Sequence, residues 1–438
     1  MSGRTRSRLG AALVAGLGTG LLVLSVAALL PPAPPNPAVV EGPASASSTL
    51  DRWILTAQAK LDRRERDPQT WAELGTAYVE KARITANPAY YPKAEGALRT
   101  SLAQRPDGNG AALTGMGALA NARHDFAAAR DWGERARAVL PDTAKVYGVL
   151  TDAYTQLGAT AAATDALQRM LDIEPGVSSF TRAAYEFELH GRADDARYAL
   201  DRALADAVDT SDIAFCRYRL GELAFDNGDI DTAARHYEAG LRAVPQDAPL
   251  LQGRAKVAAA RGQTVAALAG YRNLVSRLPN PQYLQEYAVL LTSAGEPELA
   301  ERQYAVIEQQ ERLQTASGAS DDLAASLVAA DRGDAEQALQ RARAEWSRRQ
   351  PVFVADALAW ALHLGGRDAE ALTYADRAAR TGWRNATFSY HRGMILAGLG
   401  RNTEAVTTLD EALRVNPHFS PVEARTARTT LASLRGAG

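Results

Sequence analysis

Residues 219–245 read RLGELAFDNGDIDTAARHYEAGLRAVP, and their punctuation decides the fold. Leu220 and Gly221 belong to a first helical stretch, and Gly228 supplies a turn where the chain leaves that helix and needs positive φ. Asp229 follows, a residue suited to cap a second helix. Ala233 then stands where the second helix crosses the first closely enough to exclude a larger side chain. Tyr237 is the aromatic of the second helix, and Pro245 bars its continuation.

The same grammar returns on both sides. Ala94, Ala129, Ala163, Ala196, Ala233, Ala267, Ala300, Ala338, Ala371 and Ala405 follow one another at gaps of 33 to 38 residues. Two short helices and two turns fill such a length. Gly158, Gly191, Gly228, Gly262, Gly295, Gly333, Gly366 and Gly400 each precede their Ala by five residues. Asp229, Asp334 and Asn402 are placed to cap second helices. Pro106, Pro141, Pro175, Pro245, Pro279 and Pro417 each follow their Ala by twelve.

These residues resemble the tetratricopeptide family, whose unit carries an aromatic, Leu-Gly and Tyr in its first helix, then the Ala, an aromatic and the Pro. Trp71, Leu74, Gly75, Tyr78, Ala94, Leu98 and Pro106 give the first unit, and Tyr147, Leu150, Tyr154, Gly158, Ala163 and Pro175 the third. The first unit carries an insertion around Asn87 to Pro92, and the units at Ala196, Ala338 and Ala371 lack the terminal Pro. The resemblance covers residues 68–417 and implies an all-α tetratricopeptide-type α-solenoid, a right-handed superhelix of about ten helix-turn-helix repeats. Residues 50–67 read as a leading helix with Trp53, Ile54, Ala57 and Leu61 on one side. Residues 418–438 read as a capping helix opened by Ser420-Pro421-Val422-Glu423.

Upstream, Arg4, Arg6 and Arg8 precede an uncharged run from Leu9 to Leu30. At about 1.5 Å per residue that run is roughly 33 Å long, enough to span a bilayer core. Residues 1–30 therefore read as a signal or transmembrane helix, with the positive flank in the cytoplasm and all later residues outside it. Ser25-Val26-Ala27 and Ala44-Ser45-Ala46 are both poorly placed cleavage patterns, which favours an uncleaved anchor over secretion. Residues 31–49, with Pro at 31, 32, 34, 35, 37 and 43, read as an extended stalk.

Catalytic chemistry is not expected. With 49 Lys and Arg against 51 Asp and Glu, and no basic stripe beyond Arg63 to Arg66, nucleic acid is not the expected partner either. Cys216 is the sole cysteine and reads as an apolar filler. Gly16-x-Gly18-x-Gly20 and Gly115-x-Gly117-x-x-Ala120 follow no strand, so neither is a dinucleotide site. Residues Asp226 to Asp231 have their glycine too early for a calcium loop and lack a closing Glu. His124, His190, His236, His363, His391 and His418 show no ligand spacing and read as isolated surface residues. No cofactor or metal is expected.

Protein binding is what the resemblance implies, with first helices lining the concave face. Transferred by register, the groove positions are Tyr185, Tyr218, Glu222, Phe225, Asp356, Trp360, His363, Tyr390 and Met394. Aromatic residues there would anchor a protein or extended peptide, burying much area at little entropic cost. Packing between repeats is the competing role for the same side chains. The first unit has Ala72 and Thr76 where the family's clamp for C-terminal carboxylates uses Lys and Asn.

Overall fold

The computed structural model describes residues 46–436, so the anchor reading and most of the stalk lie outside the described residues. All regular structure described is helical. A leading helix, α1 (Ala46–Arg63), is followed by ten hairpins: α2 (Pro68–Thr85) with α3 (Tyr90–Gln104), α4 (Gly110–Ala122) with α5 (Phe126–Val139), α6 (Ala144–Leu157) with α7 (Thr160–Ile173), α8 (Val177–Leu189) with α9 (Ala193–Asp206), α10 (Thr210–Asp226) with α11 (Ile230–Ala243), α12 (Ala248–Ala260) with α13 (Thr264–Arg277), α14 (Pro281–Ser293) with α15 (Pro297–Ala316), α16 (Asp322–Asp331) with α17 (Ala335–Arg348), α18 (Val352–Leu364) with α19 (Asp368–Ala379), and α20 (Ala386–Gly398) with α21 (Asn402–Val415). A last helix, α22 (Glu423–Gly436), closes the array. The units at Ala196, Ala338 and Ala371 form hairpins without their Pro, as does the unit at Ala300, where Arg312 stands in its place. Among the described residues no helix is long and apolar enough to cross a membrane.

The small-residue logic holds at atomic level. All ten register alanines are at most 2% exposed. The Tyr237 ring lies in a slot between successive first helices: a Cβ at Gly221 or Gly253 would stand 2.2 or 2.4 Å from its Cε1. Gly115 and Gly117 play the same part, approached by Leu98 and Val149. Each of the eight predicted turn glycines has φ between +66° and +84°. In the second repeat His124 occupies that place with φ +61°, a left-handed conformation that costs a non-glycine residue.

Several local expectations change. Asp229 and Asp334 accept the Thr232 and Gln337 amides, each at 3.0 Å, but Asn402 is already inside its helix and Arg401 holds the cap position. The leading helix starts at Ala46, inside the expected stalk, and stops at Arg63. Ser420 Oγ accepts the Glu423 amide at 3.2 Å, and α22 begins there.

The coil also closes on itself, which the repeat pattern did not announce. The hairpin turns of repeats two to five abut the linkers before α16, α18, α20 and α22. Ser320 N donates to Arg123 O at 3.3 Å, and His124 Nδ1 lies 3.2 Å from Asp321. Arg349 Nη1 donates to Gln156 Oε1 at 2.6 Å while its guanidinium covers Phe126 and Phe353, 4.7 and 5.1 Å from the ring centroids. A Cβ at Gly191 would stand 2.2 Å from Gly382 O. Asn416 Nδ2 donates to Phe225 O at 2.9 Å. The hydrogen-bonded partners are 191 to 197 residues apart, so one superhelical turn takes between five and six repeats. This line of contacts is a seam between consecutive turns.

Candidate protein-binding face

The first helices carry a ladder of polar pairs, each joining one repeat to the next. Arg182 on α8 donates from Nε and Nη2 to the two oxygens of Asp152 on α6, both at 2.8 Å. Arg219 on α10 reaches Glu188 on α8 at 2.8 Å, and Lys256 on α12 reaches Glu222 on α10 at 2.9 Å. Gln252 on α12 donates to both oxygens of Glu286 on α14 at 2.8 Å. His391 on α20 lies 2.8 Å from Asp356 on α18. Opposite or complementary polar residues recurring one repeat apart are the signal that would have revealed this ladder. Only Glu222 and Asp356 were picked out by register.

Of the expected groove positions, four are buried and five keep partial exposure. Tyr185 packs with Leu189 against Val352 and Phe353 across the seam, and its hydroxyl has no partner. Burial pushes that phenol upward. Phe225 is buried under the Lys256 ammonium, 4.4 Å from its ring centroid. Asp356 is buried in its pair with His391, and Tyr390 is buried beside Trp360 and Phe419, 5.5 and 5.6 Å away. These four are therefore not open anchors in this structure; the seam and the stacking of neighbouring repeats cover them.

Tyr218, Glu222, Trp360, His363 and Met394 are half-buried. The structure gathers them into two groups. Tyr218 and Glu222 join Tyr237, whose hydroxyl donates to Glu222 at 2.6 Å. Trp360 stacks between His363 and His391, at 4.9 and 4.2 Å, with Tyr390 and Met394 alongside.

His391 corrects the expectation of surface histidines. It is 2% exposed, and Glu423 of α22 approaches its Nε2 at 3.4 Å. Burial opposes its charge, but Asp356 and Glu423 more than offset that and raise its pKa to about 10. His190 is also enclosed, its Nδ1 2.6 Å from Glu186 O. Cys216 is fully buried, and burial pushes its thiol up to about 12, as suits a filler. Among the described residues no group of His, Cys, Asp and Glu is arranged to hold a metal ion.

Residues 386–419, which are α20, α21 and the loop after them, match the family model described as tetratricopeptide repeat. No curated protein matches. Solved structures similar to this chain include a tetratricopeptide repeat protein from Parabacteroides merdae, at 16% identity over 59% of this chain and 98% of that one, with a TM-score of 0.36. The Cut9–Hcn1 hetero-tetramer of APC/C is similar at 13% identity over 89% and 97%, with a TM-score of 0.41. A thermophilic TPR protein of Thermus thermophilus is similar at 23% identity over 44% and 98%, with a TM-score of 0.38. With one repeat, residues 386–419, matched outright and ten hairpins in a single register, the described residues fold as a tetratricopeptide-type α-solenoid.

Proposed function

We propose that this chain is a non-catalytic scaffold that binds a protein or an extended peptide on the inner face formed by its first helices. The observation that supports this most is the partial exposure of large side chains on two first helices, α10 and α18. Tyr218 and Glu222 on α10 and Trp360 and His363 on α18 stay partly open although most of their neighbours on those helices are buried. Partly open aromatic residues flanked by charged groups are what an anchor site requires.

An extracytoplasmic position, with the array held by a membrane helix at residues 9–30 or secreted after cleavage, is part of the same proposal. It rests on Arg4, Arg6 and Arg8 preceding the apolar run. Burial of Tyr185, Phe225 and Tyr390 favours a second reading, a spacer or self-associating envelope protein whose inner aromatic residues only stack repeats.

The deciding experiment is cross-linking and pull-down from intact membranes with the tagged chain, repeated with Trp360→Ala and Tyr218→Ala. A partner captured by the parent and lost in either variant supports the binding face. A partner insensitive to both changes supports the spacer.

A further inference from the structure

Beneath the seam, α6 and α8 enclose a small polar cavity. Its wall carries charge, but the charged groups already have partners. Arg182 holds both oxygens of Asp152. Glu186 accepts from Thr164 Oγ1 at 2.8 Å, and Gln156 takes the Arg349 guanidinium from across the seam. No unpaired charge is left to attract an ion. What remains is hydroxyl. Thr151 and Tyr185, 5% and 7% exposed, line the cavity and carry hydroxyls that bond nothing in the protein. Thr155 brings a third hydroxyl about one helical turn beyond Thr151.

Buried threonines on other first helices serve themselves. Thr76, Thr114 and Thr181 donate to the carbonyl four residues back, at 3.1, 2.8 and 2.8 Å. Thr151 stands on the same kind of helix and makes no such bond. A buried hydroxyl without a partner costs stability, and two of them line one cavity here. The space also has a definite size. About 10 Å³ is open to the centre of a water molecule, room for one water and too little for a larger ligand. A buried water is held by about two to four polar neighbours, and the three hydroxyls supply them. Each hydroxyl both donates and accepts, which suits a neutral guest that does the same.

We propose that the cavity between α6 and α8 binds one ordered water, held by the hydroxyls of Thr151 and Tyr185 with Thr155 beside them. It forms a polar bridge between repeats three and four under the seam. Tyr185 packs on Val352 and Phe353 of the next superhelical turn, so the water steadies a side chain on which the seam rests. The register rule made Tyr185 an anchor for a partner, and the cavity makes it a holder of water. This site is independent of the binding-face reading above.

Native-state hydrogen exchange on the full chain tests the proposal, because the sign of the effect depends on what the hydroxyls hold. Tyr185→Phe and Thr151→Val each delete one hydroxyl and keep the packing shape. With water bound, each variant should lower the protection of α6 and α8 about threefold to tenfold, and the double variant should lose less than the product of the two. A crystal structure should show one density peak within hydrogen-bonding distance of Tyr185 Oη and a threonine hydroxyl. Unchanged or raised protection in either variant would overturn the proposal, since deleting a hydroxyl that holds nothing relieves its cost. An empty site in a map that resolves other buried waters would overturn it too. If protection is not lowered but both variants lose a pulled-down partner, the cavity serves a serine or threonine hydroxyl of that partner, and the water falls.

Discussion

The turn glycines form a natural control series for the seam. Gly191, Gly228 and Gly262 have nearly the same backbone, with φ of +66°, +80° and +72°. An alanine at any of them bears the left-handed penalty, about 1–2 kcal/mol, partly offset by about 0.4–1 kcal/mol from a stiffer unfolded chain. Beyond that their surroundings differ. A Cβ at Gly262 meets nothing within 4 Å, whereas one at Gly228 comes 2.8 Å from Val415 O and one at Gly191 comes 2.2 Å from Gly382 O. Forcing packed backbones apart adds about 1–3 kcal/mol. Gly262→Ala should therefore cost about 1 kcal/mol or less, and Gly191→Ala and Gly228→Ala about 2–4 kcal/mol. Urea unfolding gives the totals, and native-state hydrogen exchange locates them. In Gly191→Ala the protection of residues 377–388, nearly two hundred positions away in sequence, should fall with that of α8 and α9. Equal costs for the three substitutions, or a loss confined to the mutated hairpin, would refute the seam.

Other outcomes follow from the same geometry. Arg349→Met keeps the apolar stem but strips Gln156 of its donor and leaves buried Glu345 with only Arg348, so it should cost about 3–5 kcal/mol. Hydrogen exchange in α5 and α6 should rise in that variant, and Arg349→Met with Glu345→Gln should recover part of the loss. His391, raised from 6.5 to about 10 when folded, contributes stability that is complete below about pH 6.5 and disappears as pH climbs through 10. Thermal unfolding followed by Trp fluorescence should show that decline, and His391→Gln should flatten it in the same window. Ala233→Trp should loosen α10 to α12, and the end of α21 that meets Gly228 across the seam, more than α2 or α17, because a repeat contacts mainly its neighbours in sequence and across the seam. A single uniform loss of all helices in hydrogen exchange would contradict that.

Much of the hairpin geometry could be read from the chain because a local constraint writes it there. Ala at the crossing and Gly at the left-handed turn are set by contacts within one repeat, so they recur at fixed spacing. Capping was less legible: Asp229 and Asp334 cap, but at Asn402 the helix starts one residue earlier. The seam left almost no trace, since Gly191 and Gly262 look alike in sequence and differ only in what the next superhelical turn places against them. His124 is the exception that could have been noticed, a side chain in a glycine's place, steadied beside Asp321. On the inner face the register rule located positions but not their exposure. Tyr185 and Tyr218 are both groove positions by counting, yet only Tyr185 meets the next superhelical turn.

The claim on which everything else rests is that the coil closes, bringing the turn of repeat three against the linker before α18. A Cβ at Gly158 would stand 3.3 Å from the Cα of Pro351, within reach of a disulfide. Cys216 is buried and should not compete. Gly158→Cys combined with Pro351→Cys, oxidised in dilute solution, should give a monomer with an internal cross-link and faster migration on a non-reducing gel. A helical double variant that stays reduced, or links only between molecules, would show that the turns do not meet.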